Sequence, residues 1–335
     1  MSDLVLRADY AFRPAALAVE QRRIPGVVLG VIAADGQREV RLAGAAQYIP
    51  AYRDMTRDTW FDLASLTKVI FTSPAIIALH EQGMLDLSQP LTTVLPDLQQ
   101  YKSDSWIRKV TFEQCLSHQS GFPAVEPVYT YGRDPALLRA FVLQRDWAQC
   151  EHVYSDINFI LLGIALERIR KKRITDMYPG RGFAFEADAS KAAATELCTW
   201  REKVLCGEVH DDNCFALQGA GHAGLFGTVD AVLDHAQDLL NATPETKPIV
   251  DMMRKPVSET RTLGWEKFHV NWSGGQGCSH LSIGHTGFTG TGLWVDFENR
   301  LAWTLLTNRI HPTRHSASGI VSLRHDVGSR IFSRY

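Results

Sequence analysis

The sequence predicts an α/β protein of the α+β kind, in which one antiparallel sheet is built from both termini, is flanked by helices and carries an all-helical insertion. Three features support this prediction: β-branched apolar runs near the amino terminus, helical periodicity in the middle, and further strand-like runs after residue 280. We therefore expect a sheet domain from residues 1–85 and 215–335, a helical domain from residues 86–214, and a site at their interface.

The amino-terminal part is predicted to form one helix and two strands. Residues 14–22 have helical character, and residues 26–32 form a β-branched run typical of a buried strand. Asp35-Gly36 favours a hairpin turn, after which residues 38–42 form the second strand.

A buried helix is expected over residues 63–83, where apolar residues recur at helical spacing. Pro74 is expected to kink this helix and Gly83 to end it. Further helices are predicted from their start signals, namely a capping box at Thr111 and Gln114, the pair Asp134-Pro135, and the apolar run at residues 158–170.

Strands return near the carboxyl terminus. One ends near His285, a second covers residues 291–297, and a turn at residues 298–300 leads into the apolar run at residues 301–306. Strands near both ends of the chain predict a sheet to which both ends contribute.

The composition is that of an ordinary globular protein of 335 residues, with 45% hydrophobic and 21% charged residues. A net charge of −2 argues against a general affinity for nucleic acid or anionic membranes, so a small-molecule or peptide substrate is the expected partner. No run approaches the roughly 18 to 20 apolar residues that span a bilayer, and charges interrupt the amino terminus before a signal-peptide core could form. The oligomeric state stays open.

Six cysteines occur without an export signal, which favours reduced thiols and the cytoplasm, or the periplasm if a leader was trimmed. His210 and the two aspartates that follow it lie between Cys206 and Cys214, but this spacing fits no compact zinc pattern. No metal and no cofactor are therefore expected.

Ser65-Leu66-Thr67-Lys68 places a hydroxyl and an ammonium three residues apart, so a helix would bring both to one face, about 5 to 6 Å apart at Cβ. A serine nucleophile needs a neighbour that takes its proton, and a desolvated lysine with a lowered pKa is able to do so. A pattern with two fixed positions often arises by chance, so this motif alone predicts little.

Two further triplets could complete such a site. Tyr154-Ser155-Asp156 stands at the start of a predicted helix, and a tyrosine beside a lysine cation can shuttle protons as its phenolate. His285-Thr286-Gly287 follows a strand, and its glycine allows a ligand to approach backbone amides that could stabilise an oxyanion. Taken singly, a tyrosine at a helix start is more often a packing residue, and a histidine in a strand is usually structural.

In this chain order the three motifs resemble the serine β-lactamase and penicillin-binding-protein superfamily, in the branch of class C β-lactamases and their esterase and peptidase relatives. Residues 61–65, 116–123 and 221–228 look like the same branch, and the resemblance covers residues 26–311. It implies the β-lactamase/DD-peptidase fold.

The resemblance also implies a role for each matching residue. Ser65 would be the nucleophile, Lys68 its proton acceptor or electrostatic partner, and Tyr154 the general base for acylation and deacylation. The backbone amides of Ser65 and Phe288 would form the oxyanion hole. His285 would line the site near a substrate carboxylate or near the phenol of Tyr154.

Two positions depart from the pattern of the β-lactamases, because Asp156 stands in place of an asparagine and His285 in place of the lysine of many relatives. The site thereby loses one cation and gains an anion. This change predicts weaker binding of antibiotic carboxylates and favours a peptidase, amidase or esterase. Residues 173–194 also look short and alanine-rich beside the longer connection of relatives.

Residues 207–213, 221–224 and 285–291 look most like a subgroup linked to cell-wall turnover, which includes muramoyl-peptide amidases. The substrate-facing candidates in and beside these stretches are His210, His222, Thr286 and Gly287. A hydrogen-bonded structural role is the alternative for His210, and a simple turn is the alternative for the glycines around His222.

The sequence therefore predicts a serine hydrolase that acts through an acyl-enzyme on an ester or amide, with a peptidoglycan-derived peptide or muramoyl-peptide amide as the favoured substrate. A carboxylesterase or weak β-lactamase of the same family is one alternative. A catalytically silent binding protein with this fold is the other, although intact Ser65, Lys68 and Tyr154 argue against it.

Overall fold

The structure, a computed structural model, describes residues 3–333. Within that range the helices are α1 (Asp3–Glu20), α2 (Ser73–Glu81), α3 (Phe112–Leu116), α4 (Pro135–Gln144), α5 (Asp156–Arg170), α6 (Asp212–Ala216), α7 (Val229–Leu240), α8 (Lys247–Arg254) and α9 (Ile320–Phe332). The strands are β1 (Gly26–Ala33), β2 (Arg38–Gln47), β3 (Arg53–Asp54), β4 (Phe61–Asp62), β5 (Phe183–Ala184), β6 (Ala194–Cys198), β7 (Lys203–Cys206), β8 (Phe226–Gly227), β9 (Glu266–Lys267), β10 (Ser282–Thr286), β11 (Gly292–Asp296) and β12 (Leu301–Thr307).

Seven strands form the main sheet, in the order β3-β2-β1-β12-β11-β10-β9, and every neighbouring pair is antiparallel. Its centre is the pair of β1 and β12, in which Val28 lies opposite Leu306. Both of these strands are buried along almost their whole length, which is why they appear in the sequence as continuous apolar runs. The prediction of one antiparallel sheet to which both ends contribute is confirmed.

Helices cover both faces of this sheet. On one face α1 and α9 pack together over side chains such as Leu29 and Leu305. On the other face α7 lies against β1, β11 and β12, and here Val28 and Leu306 join the larger core that extends into the helical part. Neighbouring residues of one strand thus enter different cores, because successive side chains of a strand point to opposite faces.

Helix α1 begins at Asp3, so the predicted start at residue 14 was wrong. Pro14 suggested a first turn but lies inside the helix. The buried stripe of the helix consists mostly of alanines, which pack closely but give a weak hydrophobic signal: Ala8, Ala11, Ala15 and Ala18.

The segment predicted as one helix, residues 63–83, is helical without interruption from Leu66 to Glu81, but it is not α-helical throughout. Lys68–Thr72 form a π-helical turn, from which α2 continues directly. Pro74 follows this turn and the helix continues through it, so the kink expected at Pro74 stays a prediction. Gly83 follows the helix with a φ of +68°, the conformation that its predicted role as a terminator requires.

Side-chain caps begin two of the three helices predicted in the middle segment. Thr111 and Gln114 form the predicted capping box of α3, and Asp134 accepts hydrogen bonds from two amides in the first turn of α4. Ser155, which precedes α5, forms no side-chain cap. The short strands β6 and β7 also pair in this part of the chain and were not predicted from the sequence. None of the helices in the described range combines the length and the hydrophobicity that a bilayer crossing requires.

Candidate active site

Ser65 lies on a tight turn between β4 and the π-helical turn. The residue before it, Ala64, has a φ of +48°, which is strained for a residue with a Cβ. The buried Asp62 holds the turn, because its Oδ1 accepts a hydrogen bond from the Ala64 amide at 2.8 Å and its Oδ2 accepts one from the His210 amide at 2.7 Å. Burial raises the pKa of Asp62. The backbone that presents the Ser65 hydroxyl is therefore fixed by a buried side chain.

The Lys68 side chain is fully buried beside Ser65. Its Nζ donates hydrogen bonds to Ser65 Oγ at 2.9 Å and to the carbonyl oxygen of His222 at 3.0 Å. It also forms an ion pair with Asp156 Oδ1 at 2.8 Å. Three oxygen atoms thus surround the ammonium.

The pKa of Lys68 is raised, whereas the sequence led us to expect a lowered value. Desolvation by burial would lower this pKa, but the Asp156 carboxylate and the Tyr154 phenol outweigh it. The ammonium form is therefore favoured. Of the two roles that the family resemblance implies for Lys68, this geometry supports the electrostatic partner.

Tyr154 lies next to Lys68, whose Nζ is 5.1 Å from the centre of the tyrosine ring. Two imidazoles flank that ring, with the centre of His118 at 4.4 Å and that of His285 at 5.7 Å. The Tyr154 hydroxyl is buried and makes no hydrogen bond within the described part of the chain. The backbone at this point is anchored by Ser155, whose amide donates to His118 Nδ1 at 3.0 Å.

Both imidazoles are held in the neutral form. The pKa of each lies well below its ordinary value, first because of burial and then because of nearby cations such as Lys68 and Arg261. His285 Nδ1 contacts the carbonyl oxygen of Thr286 at 2.9 Å, which assigns the proton to Nδ1 and leaves a lone pair on Nε2. That Nε2 is buried and has no partner among residues 3–333. A free acceptor therefore lies close to the phenol.

Two backbone amides are available to an oxyanion. Neither the amide of Ser65 nor that of Phe288 donates a hydrogen bond within the described residues. Threonine hydroxyls tie the two segments together, since Thr289 donates to the Asp62 carbonyl at 2.8 Å and Thr291 to the Leu63 carbonyl at 3.0 Å. Two free amides held in adjacent, connected segments suit an oxyanion hole.

The cleft at Ser65 has two lobes. A first lobe of about 390 Å³ is lined by residues that include Ser65, Val125, Tyr129, Asp156, Asp211, Asp212 and Phe288. A second lobe of about 470 Å³ is lined by residues that include Ser65, Tyr154, Asp156, Arg261, His285, Phe288, Arg309 and Arg324. Because Ser65 lines both lobes, a substrate bound there can extend into each of them.

The two remaining histidine candidates contribute differently. His210 lines the first lobe, stacks on Phe288 with ring centres 5.7 Å apart, and contacts Glu196 through Nε2 at 2.9 Å. His222 contributes its carbonyl oxygen to Lys68, while its buried imidazole contacts Asp211 at 2.8 Å. His210 therefore faces the cleft and is also hydrogen-bonded, and the His222 side chain serves the surrounding framework.

Three arginines of the second lobe were not found from the sequence. Arg324, on α9, donates to the carbonyl oxygens of Gly287 and Thr291 at 2.7 Å each, and burial lowers its pKa to about 9. Arg309 donates to the Phe288 carbonyl at 2.9 Å, and the guanidinium of Arg261 lies 5.3 Å from the Tyr154 ring. Single arginines on separate elements form no motif, so no local pattern could have predicted that they meet. They bring positive charge to a lobe in which the imidazole of His285 is neutral.

The arrangement can carry out nucleophilic chemistry at a carbonyl. The Ser65 hydroxyl is hydrogen-bonded to the Lys68 ammonium, and the Tyr154 phenol lies next to Lys68. Two backbone amides are free to stabilise a developing negative charge. Among residues 3–333, no group of three or more His, Cys, Asp or Glu side chains is placed to hold a metal ion.

Comparison with protein families finds one match that spans most of the chain. A family model described as Beta-lactamase matches residues 15–324. Among curated proteins, an N-acetylmuramyl-L-alanine amidase of Bacillus subtilis (strain 168) is 29% identical over 307 residues, which are 77% of this chain and 69% of that protein.

Solved structures share the fold over nearly the full length. A class C beta lactamase from Rhodobacter sphaeroides superposes with a TM-score of 0.74 at 19% identity, and the match covers 98% of this chain and 99% of that one. A D-alanine carboxypeptidase from Burkholderia cenocepacia gives a TM-score of 0.71 at 19% identity, covering 96% of this chain and 98% of that one.

Proposed function

Because the chain belongs to the beta-lactamase family, it is a serine hydrolase, and we propose that Ser65 forms an acyl-enzyme with an ester or amide substrate. The favoured substrate is a peptidoglycan-derived peptide or a muramoyl-peptide amide. One observation supports the proposal above all others: the Ser65 hydroxyl, the Lys68 ammonium and the Tyr154 ring are grouped around one cleft.

Acylation would begin when Tyr154, acting as its phenolate, takes the proton of Ser65 while Ser65 Oγ attacks the substrate carbonyl carbon. The ammonium of Lys68 stabilises the negative charge on the phenolate and on the attacking oxygen. The amides of Ser65 and Phe288 hold the oxyanion of the tetrahedral intermediate. The leaving nitrogen or oxygen then departs with the proton that Tyr154 returns, and the Ser65 ester remains.

Deacylation repeats the same steps with water. Tyr154 takes a proton from a water molecule, the resulting hydroxide attacks the ester carbon, and the oxyanion forms between the same two amides. When the intermediate collapses, the bond to Ser65 Oγ breaks and the serine regains its proton from Tyr154. With the substrate and one water molecule as reactants, both halves of the cycle balance.

The two lobes support the choice of substrate. The second lobe carries Arg261, Arg309 and Arg324, and guanidinium groups are well suited to bind a carboxylate such as that of a peptide leaving group. The first lobe would then hold the acyl portion. The name of the Bacillus subtilis relative, an N-acetylmuramyl-L-alanine amidase, agrees with this assignment.

The same arginines favour a second candidate, a weak β-lactamase, because an antibiotic carboxylate could occupy the second lobe. The sequence predicted poor retention of such carboxylates from Asp156 and His285, which together remove one cation and add one anion. Since the lobe regains its cations from other elements, β-lactams belong in any panel of test substrates.

Intact-mass measurement tests the acyl-enzyme directly. We expect one fluorophosphonate adduct per chain, an adduct with labelled penicillin or a muropeptide under rapid quench, and neither in Ser65→Ala. We expect turnover of the best substrate to fall about 10⁴-fold or more in that variant. If wild type and Ser65→Ala are both unmodified and equally inactive on esters, amides and β-lactams, the proposal is wrong.

The substrate class is decided by one kinetic panel. Muropeptides, D-amino-acid peptides, simple acyl esters and β-lactams are compared by kcat/KM with the same enzyme preparation. We expect the highest value for the amide bond of a muropeptide. A higher value for simple esters would instead support a carboxylesterase.

A further inference from the structure

Asp156 occupies a position from which it can select the substrate. It is the first residue of α5, its side chain is 22% exposed, and it lines both lobes of the cleft beside Ser65. One carboxylate oxygen, Oδ1, pairs with Lys68. The other oxygen has no hydrogen-bond partner among residues 3–333. An unengaged acceptor therefore lies next to the nucleophile.

An ionised carboxylate can only accept hydrogen bonds. The Asp156 carboxylate pairs with the Lys68 ammonium at 2.8 Å. A substrate N–H or O–H placed against the free oxygen would gain a charge-assisted hydrogen bond. A carbonyl or ether oxygen in the same place would meet the carboxylate lone pairs and would be repelled.

Other charged side chains of the first lobe are engaged with the protein. Asp211 contacts His222, Asp212 accepts a hydrogen bond from Arg201, and Arg314 is paired with Glu196 at 2.6 Å. The second lobe is lined by three arginines and by Glu266. The free oxygen of Asp156 is therefore a charged acceptor that a substrate donor can reach beside Ser65.

From this arrangement we infer that Asp156 is a specificity-determining residue, which selects substrates whose acyl portion presents an N–H or O–H donor beside the scissile carbonyl. The inference rests on the proposed function, because it assigns the first lobe to the acyl portion. It narrows the substrate class to acyl groups with a hydroxyl, an amine or an amide N–H near the reacting carbon, and it disfavours groups that offer only an ether or carbonyl oxygen there. Of the two favoured substrates it therefore selects the peptidoglycan-derived peptide, whose acyl residue carries an N–H beside the carbonyl, over the muramoyl amide, whose acyl carbon carries an ether oxygen.

A pair of esters that differ in one hydrogen-bond donor tests the inference. The p-nitrophenyl esters of 2-hydroxypropionate and 2-methoxypropionate, in both enantiomers, are compared by kcat/KM after division by their spontaneous hydrolysis rates. A hydrogen bond to a charged group changes affinity by about 10-fold or more, so wild type should prefer the better hydroxy enantiomer over its methoxy partner by about that factor. In Asp156→Asn the ratio should fall to within about threefold, because the amide can also donate to an ether oxygen.

A third ester, that of 2-aminopropionate, separates the sources of the donor. A preference for the amino ester that exceeds the preference for the hydroxy ester indicates a cationic ammonium, and equal preferences indicate a neutral donor; either result supports the inference. The ratio of two rates on one variant is insensitive to a general loss of activity, so damage to the Lys68 network does not imitate the expected change.

The matched control is Asp146→Asn, which removes an exposed carboxylate paired with Lys102 outside both lobes and should leave the ratio unchanged. A wild-type hydroxy-to-methoxy ratio below about twofold overturns the inference, whether or not the variant folds. An unchanged ratio in Asp156→Asn that still takes up fluorophosphonate also overturns it. Failure of wild type to take up fluorophosphonate would instead count against the acyl-enzyme itself.

Discussion

At the scale of single residues, Lys68 carries a positive charge where solvent does not reach it. Removing an ammonium from water costs several kcal/mol, so a buried lysine needs compensating partners. Ser65 Oγ, the His222 carbonyl and the Asp156 carboxylate supply them, all within 3.0 Å of Nζ. Because a charged lysine cannot take a proton, we propose that Tyr154, as its phenolate, takes the proton of Ser65.

Tyr154→Phe tests this division of roles. The phenylalanine keeps the ring between His118 and His285 but removes the hydroxyl, so the fold is retained and the proton acceptor is lost. We expect the rates of acylation and deacylation to fall by about 10²–10⁴-fold, the usual range for a general base, as measured by burst kinetics with an active ester.

The control for this prediction is Tyr131→Phe, which removes an exposed hydroxyl that donates to Glu126. It should react like wild type. If Tyr154→Phe retains acylation within about threefold of wild type, the base lies elsewhere, and the free Nε2 of His285 becomes the next group to test.

The grouping of Ser65, Lys68 and Tyr154 was predictable from the sequence, because each belongs to a short motif with fixed spacing. The charge state of Lys68 was not, since it depends on Asp156, which is 88 positions further along the chain and is brought to the lysine by the start of α5. The arginines were missed for the same reason. Contacts between distant single residues leave no trace in a local pattern.

At the scale of elements, the site depends on how the β10–β11 turn is joined to the Ser65 turn. Gly287 lies at this joint, and a Cβ added there would be 2.1 Å from Thr291 Oγ1 and 2.7 Å from the Leu63 carbonyl oxygen. Both neighbours belong to the contact that holds the two amides of the oxyanion hole together. A small displacement at this joint would therefore move one amide away from the other.

Gly287→Ala is expected to separate the two turns. Overpacking at such a site typically costs about 1–3 kcal/mol, which should appear as a lower urea midpoint. Acylation by an active ester should also slow by more than about 10-fold, because one oxyanion donor is displaced.

The matched change is Gly132→Ala, where an added Cβ meets nothing closer than Leu138 Cδ2 at 3.8 Å. It should alter neither stability nor acylation appreciably. If Gly287→Ala is acylated at the same rate as wild type, the turn can move without loss of the oxyanion hole.

The elements with strong side-chain signals were predicted well, and those defined by backbone geometry were not. The capping box at Thr111 and the apolar runs of β1 and β12 depend on the types of residues that are close together in the sequence. The π-helical turn at Lys68–Thr72 and the first turns of α1 depend on what packs against them. The buried alanines of α1 are only weakly hydrophobic, so the sequence alone does not reveal that this face packs against the sheet.

At the scale of the whole molecule, several histidines are held neutral by the fold. Burial lowers the pKa of His118, His235, His285 and His311 below the ordinary value. The unfolded chain binds protons at these positions near pH 6.5, whereas the folded chain does so only at lower pH. The free energy of unfolding must therefore fall as the pH drops below 6.5, and it must recover above that value.

His235 allows this pH dependence to be measured away from the cleft. Burial lowers its pKa to about 4, and its Nε2 is buried without a partner in the described part of the chain. We expect wild type to lose about 1–2 kcal/mol of unfolding free energy between pH 7 and pH 5 through this group, as measured by urea titration. His235→Leu should lose correspondingly less over the same interval.

His152→Leu provides the comparison, because it makes the same exchange of side chains at an exposed position. Parallel curves of unfolding free energy against pH for wild type and His235→Leu would contradict the prediction. The difference between these two curves removes the contribution of other groups that titrate over the same interval.

The division into a sheet domain of residues 1–85 and 215–335 and a helical domain of residues 86–214 remains our proposal. All strands of the main sheet fall within the first two ranges, and α3, α4 and α5 fall within the third. The cleft takes residues from all three ranges, including Ser65, Asp156 and Phe288. Limited proteolysis that releases a stable fragment near residue 86 or residue 214 would support this division.

The pairing of β1 with β12 also has a consequence during synthesis of the chain on the ribosome. Residues 34–300 must be synthesised before β1 meets that neighbour, so the first strand emerges long before its place is ready. Ser65 and Lys68 are made before residues 69–287, and Phe288 and the threonines that tie its turn to theirs follow only after those residues. A nascent chain that stops before Phe288 would hold Ser65 without the second amide of the proposed oxyanion hole, so the proposed acyl transfer requires the β10–β11 turn to have been synthesised.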